Sequence, residues 1–133
     1  MAKTVGGIVA GLITWFVVVT IGNLLLRALW PAYAEVESAM RFTLAMMFAR
    51  LLLGGVSSVC GGFALAWITK RSGRPALFLG ALLTALFIPV HYGLWDKFHL
   101  WYHLIFLASL LPLTVLGALA YAQGAVDRRD ATT

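Results

Sequence analysis

Four stretches of this chain contain no charged residue and are about as long as a membrane-spanning helix. They cover residues 5–26, 51–69, 75–93 and about 100–125. A helix needs about 20 apolar residues to cross the hydrocarbon core of a bilayer. These four stretches take up most of the 133 residues, and they predict a membrane protein.

The composition excludes several other classes of protein. Hydrophobic residues make up 62% of the chain and charged residues only 11%, whereas about 25% of the residues of a soluble domain are charged. Disorder, a coiled coil and an ordinary water-soluble enzyme domain are therefore excluded. A single cysteine also excludes an intramolecular disulfide framework and a cysteine-rich metal site.

We therefore predict an all-α fold, an integral membrane four-helix bundle that forms a single transmembrane domain over residues 1–133. Two proline-containing breaks, Trp30-Pro31 and Ser72-Gly73-Arg74-Pro75, separate helices, because proline is tolerated in the first turn of a helix but restricts the residue before it. Pro89 and Pro112 fall within spans and predict kinks. A polar tail is expected from Asp127 to Thr133. The predicted spans are about 5–29, 42–69, 75–94 and 100–123.

The basic residues predict that both termini lie in the cytoplasm. With four spans, six basic residues fall on the side of the termini and four on the other side, and positive residues are enriched on the cytoplasmic side. The first helix is too long for a signal peptide, so we expect it to be retained. The net charge of +5 is then mostly a signal of topology, and it does not indicate a nucleic-acid partner. The six basic residues on the side of the termini are Lys3, Lys70, Arg71, Arg74, Arg128 and Arg129. The four on the opposite side are Arg27, Arg41, Arg50 and Lys97.

An aromatic cap is expected on the outer face. Arg50 lies about 30 Å before Lys70 along a helix, which is the full thickness of the hydrocarbon core. The apolar residues before Arg50, from Met40 to Phe48, would then continue the helix beyond the membrane. The aromatic loop over residues 91–103 is the expected cover for them. Several aromatic residues would also serve as interfacial anchors: Trp30, Tyr33, Trp95, Trp101 and Tyr102.

Polar residues from all four helices are expected to meet at this outer level. On the second helix, Arg50 aligns with the small residues Gly54, Ser57 and Gly61, a stripe that predicts an interior face. An outer pocket with two arginines near imidazoles would suit a phosphate or carboxylate headgroup. The alternative, favoured by the depth of Arg50, is that the arginines mark the interface. The predicted ligand-binding cluster is Asn23, Arg27, Arg50, His91, Asp96, His99 and His103, with Asp96 as the counter-charge.

A metal or haem site is a weaker hypothesis. His99 and His103 have the i, i+4 spacing of two metal ligands, but Leu100 stands where a zinc hydrolase has glutamate. The three histidines are also crowded at the end of one hairpin. Cys60 and Ser57-Ser58 are interpreted as packing residues. We predict no metal, no cofactor and no catalytic residue.

Three resemblances bear on function. The chain is similar to small multidrug exporters in size and helix count, but its first span lacks their buried glutamate. Small fluoride channels share the size, but Gly22-Asn23 alone does not match their pore motifs. The stretch from Leu100-Trp101-Tyr102-His103-Leu104 to Pro112 and Gly117, with Trp95-Asp96, resembles the last hairpin of small four-helix inner-membrane proteins of proteobacteria. That resemblance implies a multi-pass protein of the bacterial inner membrane and supplies no mechanism.

The sequence thus favours a non-enzymatic subunit or an accessory, lipid-binding membrane protein. The first alternative is a transporter or channel for small molecules or anions that works as a homo-oligomer, and the second is a metal- or haem-binding module. The expected partners are the lipid bilayer and either further copies or a larger membrane complex, without nucleic acid.

Overall fold

The computed structural model describes residues 1–131, without the side chain of Arg129. Thr132 and Thr133, the end of the predicted polar tail, lie outside the described residues. Within residues 1–131 the chain is all-α, and four of its helices are long and apolar enough to cross a membrane. This confirms the predicted helical bundle. The helices are α1 (Ala2–Leu29), α2 (Pro31–Glu37), α3 (Leu44–Thr69), α4 (Arg74–Gly93) and α5 (Leu100–Asp130).

The short helix α2 lies where the sequence predicts only a connection. The N–H of Trp30 bonds to the carbonyl oxygen of Leu26 and ends α1. Pro31 then occupies the first position of α2, where its fixed φ suits a helix and its missing N–H costs nothing. The connection therefore turns back over the end of the bundle as a helix and not as an open loop.

Two of the long helices differ in length from the predicted spans. α3 begins at Leu44, because the Thr43 hydroxyl accepts a 3.4 Å hydrogen bond from the N–H of Met46 and caps the helix. Met40 and Phe42 consequently lie in the connection before α3, with Met40 at a φ of 52°, and do not extend the helix as expected. At the other end of the chain, α5 continues through Asp127 to Asp130.

Helix α3 occupies the centre of the bundle. It packs along α1 on one side and along α5 on the other, whereas α4 packs chiefly against α5 and touches α1 only slightly. We call the end formed by α2 and residues 94–99 the capped end. The opposite end, formed by both termini and residues 70–73, is called the basic end.

Small residues bring the backbones of the helices close together. Gly54, Ser57 and Gly61 are all buried, which confirms the predicted inward-facing stripe. A Cβ at Gly61 would lie only 2.9 Å from the carbonyl oxygen of Gly11 on α1, and one at Gly62 would overlap the carbonyl of Thr114 on α5. Such close approach is typical of helix packing in membranes.

The predicted aromatic cap is present at the capped end. Phe98 and Tyr102 are buried against Met47, and Met40 and Phe42 pack on the same cluster. The rings of Phe42 and Phe98 stack at 5.9 Å between centroids, and those of Phe98 and Tyr102 at 4.7 Å. The loop before α5 therefore covers the apolar residues at the start of α3.

The close packing of α3 against α5 yields a test by substitution. Gly62→Ala should lower the free energy of unfolding by about 1–3 kcal/mol, because its Cβ collides with backbone that cannot rotate away. Gly6→Ala on α1 is the matched control, since its Cβ meets nothing within 4 Å. Unfolding in detergent measures both, and a Gly62→Ala protein as stable as the wild type would contradict this packing.

Candidate functional site

Polar side chains from four helices form one hydrogen-bonded network at the capped end. The Glu37 carboxylate accepts from Asn23 Nδ2 at 2.8 Å and also from Arg27 Nε. The Tyr33 hydroxyl donates to Asn23 Oδ1 at 2.8 Å. Arg50 completes the network: Nη1 donates to the Tyr33 hydroxyl at 2.8 Å and Nε donates to the Tyr102 hydroxyl at 3.4 Å. The network therefore links α1, α2, α3 and α5.

The position of α2 follows from this network. Tyr33 and Glu37 are four residues apart, which places them on one face of the helix. Tyr33 is fully buried, and the Glu37 side chain is only 13% exposed. Both residues bond to Asn23, so side-chain hydrogen bonds hold α2 across the end of α1.

The network carries an excess of positive charge. Arg27 forms an ion pair with Glu37, and that pair contributes little stability because the Arg27 side chain is 52% exposed. Arg50 is near the same carboxylate but has no acidic group within ion-pair distance in the described part of the chain. Its guanidinium carbon lies 4.8 Å from the centroid of the Phe42 ring, a cation–π contact. Two arginines and one carboxylate leave a net charge of +1.

Two groups of α2 have shifted pKa values. Burial opposes ionisation of Glu37, but the hydrogen bonds from Asn23 and Arg27 and the positive charges of Arg27 and Arg50 outweigh it. The pKa of Glu37 is therefore lowered, and the carboxylate is ionised at neutral pH. Burial also raises the pKa of Tyr33, and Arg50 offsets this only in part, so the phenol stays neutral.

A cleft of about 350 Å³ runs from this network into the bundle. Its rim carries Asn23, Arg27, Glu37, Arg50 and Tyr102, and its deeper wall is apolar. That wall is lined by Trp15, Val19, Leu53, Phe87 and Phe106.

Trp15 closes the inner end of the cleft. Its side chain is 2% exposed, and its Nε1 donates to Ser58 Oγ at 3.0 Å. The centroids of the Trp15 and Phe87 rings are 4.8 Å apart. Beyond Trp15 the interior is filled by buried leucines. The cleft thus combines a cationic rim with an apolar, aromatic floor.

Two histidines form a separate pair behind the network. His91 Nδ1 and His103 Nδ1 are 2.7 Å apart, so one ring donates its proton and the other accepts it. His103 is 1% exposed, and its Nε2 has no hydrogen-bond partner in the described residues. The Trp95 ring stacks on His103 at 5.0 Å between centroids. The His91 ring stacks on Tyr102, whose hydroxyl accepts from Arg50.

The structure divides the predicted cluster into three groups. Asn23, Arg27 and Arg50 come together and line the cleft, whereas His91 and His103 pair with each other and do not line it. The side chains of Asp96 and His99 are exposed and make no hydrogen bond or ion pair within residues 1–131. Glu37 is therefore the counter-charge in the network, the role that the sequence predicts for Asp96.

Sequence reasoning missed Glu37 as a site residue and treated Tyr33 and Tyr102 only as anchors. One local signal could have identified Tyr33 and Glu37. Pro31 predicts the start of a helix, and the i, i+4 spacing then places the two side chains on the same face. No such local signal exists for Tyr102, because it meets Arg50 only through the packing of α3 on α5. Across residues 1–131, no three His, Cys, Asp or Glu side chains are close enough together to hold a metal ion.

The Tyr33 hydroxyl offers a direct test of the network. Tyr33→Phe should lower the free energy of unfolding by about 0.5–1.5 kcal/mol, since it removes the hydroxyl that bridges the half-buried Asn23 and Arg50. Tyr92→Phe is the matched control, because Tyr92 is 81% exposed. Equal unfolding midpoints in the two variants would rule out the bridging role of Tyr33.

The lowered pKa of Glu37 predicts a pH dependence of stability. Its ionised form is stabilised by folding, so the contribution is present above the unfolded pKa of about 4 and is lost as the pH falls through the lower folded value. Glu37→Gln should therefore reduce the Tm at neutral pH, and the difference from wild type should shrink below about pH 4.

The exposed Glu35 is the matched control for that series. Glu35→Gln should leave the Tm unchanged at each pH, and a Glu37→Gln difference that does not depend on pH would contradict the assignment.

Comparisons with protein-family models, with curated proteins and with solved structures found no match. The fold and the cleft are thus the observations from which the function has to be inferred.

Proposed function

We propose that this protein is a non-catalytic membrane protein that binds an anionic amphiphile, a lipid-like molecule with one negative headgroup, in the cleft at the capped end. The observation that carries the proposal is Arg50, a cation without an acidic partner of its own at the rim of an apolar cleft. A headgroup at Arg50 would place its apolar chain against the aromatic floor.

Arg50 is suited to an anionic headgroup because its position and orientation are already set. Two of its five N–H donors are engaged by the Tyr33 and Tyr102 hydroxyls. The remaining donors carry no hydrogen bond to the described residues. A phosphate or carboxylate accepts two parallel hydrogen bonds from a guanidinium, and it would neutralise the excess charge of the rim.

The size and shape of the cleft favour the binding of a ligand over the transport of one through the bundle. A volume of about 350 Å³ lies within the range of about 300–1,000 Å³ that is usual for ligand sites. The buried Trp15 and the leucines beyond it fill the interior toward the basic end. A cleft that ends inside the bundle supports the lipid-binding hypothesis more than a transport path through one copy.

We further propose that the protein resides in the bacterial inner membrane, with its capped end outside the cytoplasm. The basic residues at the opposite end of the four long helices support this orientation. The lipid bilayer is the partner that the proposal requires. All lining residues of the cleft come from one chain, so neither further copies nor a larger complex is needed to form it.

The proposal predicts that Arg50 determines the affinity for anionic amphiphiles. In a neutral detergent, native mass spectrometry would follow the binding of lysophosphatidylglycerol, which is anionic, and of lysophosphatidylcholine with the same chain. Arg50→Gln should weaken binding of the anionic lipid about 10- to 100-fold, the value of one hydrogen bond to a charged group. Binding of the zwitterionic lipid should change much less.

Two further variants complete the experiment. Arg50→Lys keeps the charge but loses the fork of donors, so its affinity should fall between wild type and Arg50→Gln. Arg41→Gln removes an exposed arginine near the same end and should bind like wild type. Unchanged binding of lysophosphatidylglycerol by a folded Arg50→Gln protein would refute the proposed site.

A further inference from the structure

A second cleft lies at the basic end, and it has a different character from the first. It has a volume of about 770 Å³ and lies between the turn that joins α3 to α4 and the last turns of α5. Three basic residues line it from the turn side: Lys70, Arg71 and Arg74. The α5 side is aromatic and apolar, with Tyr121, Ala125 and Val126.

The three basic residues converge because the turn is held by local hydrogen bonds. Lys70 ends α3 in a left-handed conformation, with φ 56°, and its N–H bonds to the Ala66 carbonyl at 2.8 Å. The Thr69 hydroxyl donates to the Leu65 carbonyl at 2.9 Å and accepts from the Arg71 N–H at 3.2 Å. The chain reverses within a few residues and leaves three cations beside one concavity.

Lys70 is positioned over α5 by a tyrosine. Its Nζ donates to the Tyr121 hydroxyl at 2.7 Å and lies 5.1 Å from the centroid of that ring. A phenol is a neutral partner, so the contact orients the ammonium group without cancelling its charge. The ring of Tyr121 in turn contacts Phe63 edge to face at 5.4 Å, which continues the apolar surface away from the basic end.

Within residues 1–131, no carboxylate compensates this charge in the cleft. Among the described residues, Lys70, Arg71 and Arg74 form no ion pair, and no acidic residue lines the cleft. Asp127 and Asp130 follow on α5 but are not among the lining residues. The capped end differs, because there Glu37 already pairs with Arg27.

We propose that the cleft at the basic end binds the phosphodiester headgroup of an anionic phospholipid from the adjacent leaflet. Lys70, Arg71 and Arg74 contact the phosphate, and the acyl chains lie along the exposed apolar side chains of α3 and α5, such as Trp67. Basic clefts between helices are suited to anionic headgroups because they combine charge with an adjacent apolar surface. This site is distinct from the cleft at the capped end and does not depend on it.

The test measures lipid retention in a background in which the first site is weakened. Arg50→Gln protein is purified in neutral detergent, and native mass spectrometry counts bound phosphatidylglycerol against phosphatidylcholine. Adding Arg71→Gln and Arg74→Gln should weaken phosphatidylglycerol binding roughly 30-fold, as expected for the loss of two interfacial cations. Lys70 is left in place because its backbone conformation ends α3.

The matched control adds Arg41→Gln and Lys97→Gln, which remove two exposed cations at the capped end. This variant has the same net charge as the first and should retain phosphatidylglycerol like its Arg50→Gln parent. Equal losses in the two charge-matched variants would overturn the proposal, because they would indicate an effect of net charge alone.

Inorganic phosphate distinguishes a lipid site from a site for a free anion. Phosphate in millimolar excess should displace little phosphatidylglycerol, since it offers no chain to the apolar wall. Full displacement would overturn the assignment to a lipid. Because every arm is read in the Arg50→Gln background, failure of this proposal leaves the result for the capped end unaffected.

Discussion

The close approach of α3 to both of its neighbours is the constraint on which the rest of the structure depends. Burial of apolar side chains does not by itself bring helices together in a bilayer, because lipid is equally apolar. Glycines instead let α3 touch the backbone of α1 at Gly11 and that of α5 at Thr114. Arg50 lies on the same stripe of α3, so this packing also sets the guanidinium between Tyr33 and Tyr102.

Placing a cation inside the capped end requires groups that replace water. Removing a charge from water costs several kcal/mol unless hydrogen bonds compensate. Two phenols and the face of Phe42 surround Arg50, while Glu37 is engaged by Asn23 and Arg27. The carboxylate thus holds α2 in place without fully neutralising Arg50, and the cleft keeps a positive rim.

The two ends of the bundle hold their positively charged side chains in different ways. At the capped end, hydrogen bonds across four helices orient one arginine over an apolar floor. At the basic end, a short turn places three cations beside a wider cleft, and the phenol of Tyr121 orients the ammonium group of Lys70. Both arrangements leave charge available to an anion beside apolar surface, which is the chemistry of lipid headgroups and chains.

Much of the fold can be predicted from patterns in contiguous residues. The charge-free stretches predict the long helices, and the small residues of α3 predict its buried face, because length, hydropathy and helical period are local properties. The aromatic cap follows from the same reasoning, since apolar residues beyond a span need a cover. The helix α2 does not follow from the same patterns, because Pro31 both ends α1 and can begin another helix, and α2 is too short to show a helical period.

The sequence by itself therefore determined the class of protein, the number of long helices and the collection of polar groups at one level. Only the tertiary structure decided which of those groups meet. Arg50 pairs with tyrosines 17 and 52 residues away, Glu37 replaces Asp96 as the counter-charge, and the histidines pair apart from the cleft. These choices depend on how each helix is rotated against its neighbours, and packing between distant segments sets that rotation.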